Sequence, residues 1–137
     1  MAFPVEQHVA SRPERPRPPR PVAAADQPLI DRLTLVHELL NARHFAGILG
    51  AIPIRISERM RSRLGELRAS RSGAPVEIIL SRRHIRRDGW NAACDTLLHE
   101  MVHQWQAENG HALDHGREFR RKANEVGITP RAVADLR

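Results

Sequence analysis

The sequence predicts an α+β domain: an N-terminal helix, a small three-stranded antiparallel sheet, then two helices, the first bearing a His-Glu-x-x-His motif. Three observations carry this. Apolar residues recur at helical spacing from Leu29 to Leu49 and again beyond Trp90. Between them, residues 51–86 alternate apolar with polar or run β-branched. Glycines, prolines and Asn-Gly punctuate the segments.

Residues 1–27 read as a disordered tail and 28–137 as one folded domain. The run from Ser11 to Pro21 is proline and arginine in alternation, unable to bury apolar area and short of backbone donors. It is expected to be extended. The first helix uses Leu29, Ile30, Leu33, Leu35, Val36, Leu39 and Leu40, and stops where Gly47, Gly50 and Pro53 follow.

Ile52, Ile54 and Ile56 alternate as one strand. Leu64, Gly65 and Leu67 suggest a second, irregular one. After the turn Ser72-Gly-Ala-Pro75, Val76–Leu80 is the strongest strand in the chain. The basic run Ser81–Arg87 reads as a solvated connection, and Asp88 as the cap of a helix from Gly89 or Trp90 to Glu108. Asn109-Gly110 ends that helix. A last helix from about Asp114 to Glu125 turns Phe119, Ala123 and Val126 inward, and the final ten residues are expected to form a short frayed helix.

Composition excludes several function classes. The chain has 137 residues, of which 41% are hydrophobic and 28% charged. No apolar run is long enough to span a bilayer, and the first residues do not resemble a secretory signal, so a cytoplasmic location is expected. Cys94 is the only cysteine, which excludes an internal disulfide and a Cys-based zinc ribbon in this sequence. Cys94 falls on one helical face with Leu98, Met101 and Trp105 and reads as core. Basic residues outnumber acidic ones 22 to 16, and Lys122 is the only lysine. An arginine-rich surface is a candidate for nucleic-acid contact, because neutralised phosphates release counterions. Ser81–Arg87, extended by Arg117, Arg120, Arg121 and Lys122, is its best location. A solvated, GC-biased surface explains the same composition.

Chemistry concentrates in His99-Glu100-Met101-Val102-His103. Histidines four apart on a helix share a face and can hold one Zn²⁺ at about 2.0–2.1 Å. Glu100, rotated by about 100° from His99, stands beside the metal as a general base rather than a ligand. A catalytic zinc needs a third protein ligand and an open position. His111, Asp114, His115, Glu118 and Glu125 are the candidates. One common metallopeptidase pattern needs glycine at 106 and histidine at 109; this chain has Gln106 and Asn109. A turn at Gly110 can fold the last helix back and bring His115 to the metal.

These residues resemble the SprT-like zinc metallopeptidases, which include the DNA-dependent protease Spartan. The likeness rests on His99-Glu-Met-Val-His103 and His115-Gly-Arg-Glu-Phe119, a His-Gly-x-x-Phe pattern after a short loop. Upstream, Ile56-Ser-Glu-Arg-Met60, Gly65 and Glu77-Ile-Ile-Leu-Ser81 look like the family's β-region. The resemblance spans about residues 29–128. It implies a minimal zincin fold, zinc on His99, His103 and His115, and Glu100 as the catalytic base. Longer members carry a C-terminal zinc ribbon, which this sequence lacks, so DNA dependence does not follow.

The expected activity is zinc-assisted hydrolysis of peptide bonds in protein substrates, DNA-associated ones included. With no tyrosine in the chain, His111 or an arginine is left to stabilise the oxyanion. Val76–Leu80 is expected to offer an edge for an extended substrate. Two other classes compete: a nucleic-acid-binding module with a structural or vestigial zinc site, and an interaction protein that docks through its Pro/Arg tail.

Overall fold

The computed structural model describes residues 23–128. Most of the Pro/Arg tail and the expected frayed C-terminal helix lie outside the described residues. A single 3-10 turn, Ala24–Asp26, leads into helix α1, Gln27–His44, with Pro28 in its first turn, where a missing N–H costs nothing. Ile30, Leu33 and His37 face inward. The helix ends earlier than Leu49: Phe45 and Gly47 both donate to the Asn41 carbonyl, and Ala46 (φ 53°) and Gly47 (φ 73°) turn the chain away. Leu49 and Ile52 reach the core from the loop instead. The Asn41 side chain holds that loop by bonding both the N–H and the C=O of Leu49.

The sheet has three strands: β1 Ile54–Ser57, β2 Gly65–Ala69 and β3 Pro75–Ser81. Their order is β1-β3-β2. The pair β2–β3 is an antiparallel hairpin, closed by Ser70, Gly73 and Ala74. The expected all-antiparallel sheet is corrected at β1, which runs parallel to β3, Ile54 opposite Ile78. Strand β3 inserts between the two earlier strands, so β1 and β2 are never neighbours. For the same reason Val76–Leu80 has both sides paired and offers no free edge; that property passes to β1 and β2.

Ile54, Ile56, Gly65, Leu67, Ala69, Ile78 and Leu80 are all buried. Gly65 is needed for close packing. A Cβ there would lie 2.9 Å from Thr96 Cγ2, 3.0 Å from Leu80 Cδ2 and 3.2 Å from the Ile79 carbonyl.

The basic run after β3 is a helix, not a connection: α2, Arg82–Asp88. Ser81 caps it by accepting from His84 N–H. Arg82 pairs with Asp26 and with Glu58, tying this helix to the start of α1 and to the β1–β2 loop. Asp88 does not cap the next helix. Its carboxylate is taken by His84 and Arg87, and Gly89 (φ 91°) makes the break. Helix α3, Trp90–Glu108, then crosses the core, with an unbroken buried stretch from Thr96 to Gln106. It packs against α1, α2, the sheet and the last helix, α4, Arg117–Val126. Gly127 (φ 94°) ends α4 as Ile128 N–H reaches back to the Ala123 carbonyl.

Candidate metal centre

His99 and His103 lie one turn apart on α3, each about 1% exposed. The third imidazole comes from the α3–α4 turn. His115 precedes the helix rather than belonging to it: Gly116 is the N-cap, and α4 starts at Arg117. The turn is built to deliver that side chain. Gly110 (φ 73°) reverses the chain, His111 N–H bonds the Gln106 carbonyl, and Asp114 Oδ1 accepts from Gly116 N–H. Arg120, one turn into α4, donates to the His115 carbonyl.

The three rings converge. His115 Nε2 lies 3.2 Å from His99 Nε2 and 3.2 Å from His103 Nε2. One nitrogen from each ring lies within 4.8 Å of the other two. Four-coordinate zinc with Zn–N bonds of about 2.0–2.1 Å separates its ligand nitrogens by about 3.3 Å. The spacing around His115 is therefore the spacing zinc requires.

The electrostatics suit a cation as well. Burial pushes His103 down to about 4, and burial, with His103 and Arg120 nearby, pushes His115 down to about 3. Both rings are neutral at physiological pH, the form that ligates a metal. Glu100 is fully buried one position on. Burial, with a contribution from Glu66, pushes its carboxyl up to about 8, opposed by a backbone hydrogen bond from Leu67 and by Arg63. Among the described residues its Oε1 is buried with no hydrogen-bond partner. A divalent cation beside it would favour the ionised form. These neighbours also locate Glu100 between the histidines and β2.

Two further side chains shape the centre. Phe119, fully buried on α4, packs on all three imidazoles, with ring centroids 5.0 Å from His99 and 4.6 Å from both His103 and His115. The sequence marked it twice, in the inward stripe of the last helix and in the His-Gly-x-x-Phe pattern. Gln106, also fully buried, accepts at 2.7 Å from His103 Nδ1 through Oε1. It was missed, although its position one helical turn after His103 was a signal.

The other candidate ligands are engaged elsewhere. Glu118 pairs with Arg121, and Glu125 with Lys122. Asp114 supports its own turn. His111 is exposed, its ring against Trp105 at 5.4 Å. Cys94 is half-buried, and burial pushes its thiol up, away from nucleophilic use. On α1, His37 is buried and hydrogen-bonded to Gln104. No helix among the described residues is long and apolar enough to cross a membrane.

The comparisons agree with this geometry. The family profile described as SprT-like matches residues 33–136, most of the chain. No curated protein sequence matches it. The His-Glu-x-x-His helix, the third histidine and the α+β scaffold form the active site of a zinc metallopeptidase in minimal zincin form. The chain belongs to the SprT-like family.

Proposed function

We propose that this protein is a zinc-dependent endopeptidase acting on extended segments of protein substrates, with His99, His103 and His115 as metal ligands and Glu100 as catalytic base. The observation that carries this reading is the convergence of three buried imidazoles beside a buried carboxylate. When bound, zinc supplies Lewis acidity, lowering the pKa of water toward about 7 and polarising a carbonyl.

The chain's own residues do the rest. His99, His103 and His115 would hold the cation, and three protein ligands leave a four-coordinate zinc one position for water or substrate. Glu100 takes the proton from the attacking water and returns it to the leaving amine. Strand β2 has no strand partner on its outer side among the described residues and lies against Glu100. An extended peptide can add to that edge by main-chain hydrogen bonds, which presents its carbonyls in register beside the base.

DNA-associated proteins are the substrate class we favour. The formal charge is +6, and Arg59, Arg61, Arg83 and Arg86 are exposed with no acidic partner among the described residues. Such cations hold a nucleic acid by neutralising phosphates.

The test is Glu100→Gln, assayed for zinc content and for cleavage of a DNA-binding protein, with and without duplex DNA. Zinc is expected to stay bound while cleavage falls by about 10²–10⁴-fold, the usual worth of a general base. Wild-type cleavage is expected to rise with DNA. Cleavage retained in Glu100→Gln would reject the mechanism. A zinc-loaded wild type that binds DNA and cleaves nothing would point instead to a binding module.

A further inference from the structure

Gln106 bonds one of the three histidines directly and, on its other side, the residue that precedes another. Its Oε1 is 2.7 Å from His103 Nδ1. Its Nε2 is 3.1 Å from the backbone carbonyl of Asp114, the residue before His115, and 3.5 Å from Asp114 Oδ1. The amide is fully buried, so these contacts are not shared with bulk solvent.

We infer that Gln106 is a positioning residue that sets the His103 tautomer and the His115 turn together, and so pre-forms the metal centre. The inference rests on the zinc-peptidase reading above. The Asp114 carbonyl only accepts, so the amide must present its NH₂ there. Its oxygen is then the atom facing His103, and an oxygen only accepts. His103 Nδ1 must therefore carry the proton, which leaves the Nε2 lone pair aimed at His99 and His115. Rotating the amide would break both contacts at once. One side chain thus couples the ligand on α3 to the turn that delivers the third ligand.

The backbone of the same residue reinforces this. The Gln106 carbonyl accepts from His111 and Asn109, so the turn is tied at its start by main chain and near its end by side chain. Outer hydrogen bonds to a ligating histidine raise its basicity and hold its plane, and their loss usually weakens metal binding by about 10–100-fold.

Two substitutions separate this role from simple packing. Gln106→Leu removes both hydrogen bonds. Gln106→Glu keeps an acceptor for His103 Nδ1–H, loses the donor to Asp114, and buries a charge close to the Asp114 oxygens. Zinc affinity would be measured by competition with a chromophoric chelator, and thermal unfolding by calorimetry on the metal-free proteins.

The expected order of zinc affinity is wild type, then Gln106→Glu, then Gln106→Leu, the last weaker by about 10–100-fold. The expected order of metal-free stability is different, with Gln106→Glu lowest because its charge has no cation to offset it. A merely structural residue would give the same order in both measurements, and that outcome overturns the proposal. So does Gln106→Leu binding zinc within about twofold of wild type. The wild-type protein provides a test free of folding defects. Its ¹⁵N histidine shifts without metal should report the Nδ1–H tautomer at His103, and an Nε2–H tautomer would overturn the inference. A wild type that binds no zinc would sink the peptidase reading while the tautomer measurement still judges Gln106.

Discussion

Helix α3 has two polar faces, and their histidines are treated in opposite ways. On the back, toward α1, His37 Nε2 meets Gln104 Oε1 at 2.8 Å. Gln104 Nε2 then donates to the Gly50 carbonyl and to Glu108, whose carboxylate accepts from Gly50 N–H. Near its start, His84 is bonded at both ring nitrogens, to Asp88 at 2.7 Å and Thr96 at 2.8 Å. In these networks every contact joins a donor to an acceptor, and each network closes within the protein. On the front, nitrogen faces nitrogen at 3.2 Å in a group of three. That is the separation that two nitrogen ligands of one four-coordinate cation require. The five buried histidines among the described residues divide into two that staple helices and three that meet as a candidate metal centre.

The sharpest way to break this division is to remove one histidine from each class. His115→Ala takes away a third of the proposed ligand set. Zinc affinity should fall by more than about 100-fold, since even outer-shell losses cost 10–100-fold. With zinc at about a thousand times its dissociation constant, the wild type should gain about 4 kcal/mol of stability, and His115→Ala at most about 1.4 kcal/mol. Chelator should reverse the wild-type gain. Comparable zinc-linked stabilisation in wild type and His115→Ala, read by thermal unfolding, would mean that the metal sits elsewhere.

His84→Ala probes the closed class. It leaves the Thr96 hydroxyl buried without its partner and frees Asp88 at the end of α2, at an expected cost of about 2–3 kcal/mol. The loss should be the same with zinc and with chelator. A loss that appears only in the zinc-loaded protein would show that the staple and the metal centre are one system, and the division drawn above would fail.

Legibility in the sequence followed the same split. The open class was readable because ligation demands fixed residue types at fixed spacing: His99, Glu100 and His103 on one helix, and His115-Gly-x-x-Phe119 after a turn. The family likeness singled out His115, and packing explains why the other candidates fail, since Glu118 and Glu125 each found a cation on their own helix. The closed class was not readable. His37 and Gln104 are 67 positions apart, and nothing local marks them as partners.

Helix α2 was missed because a run of arginines has little apolar periodicity. Its fold comes from the Ser81 cap, from Arg82 reaching Asp26 and Glu58, and from buried His84. The parallel pairing of β1 was missed because a short β1–β2 connection suggests a hairpin, whereas β3 entered between the two strands. Asp88 was misread as a cap because the same carboxylate satisfies His84 from the other side.

The smallest expected effect tests how tightly the closed network constrains packing. Gly65→Ala would place a Cβ 2.9 Å from Thr96 Cγ2, and the threonine cannot simply rotate its methyl away, because Oγ1 is held by His84. The leucine neighbour, Leu80 Cδ2 at 3.0 Å, is the end of a flexible chain and can yield. The expected cost is about 1–2 kcal/mol, typical of one methyl too many in a filled core. Thr96→Ser deletes the obstructing methyl and keeps the hydroxyl for His84. In that background the cost of Gly65→Ala should shrink by about 0.5–1 kcal/mol, a coupling within the usual range for residues in contact. Denaturant unfolding of the two single variants and the double variant gives the coupling directly. Strict additivity would mean that Thr96 turns freely, so that its bond to His84 does not hold the side chain in place.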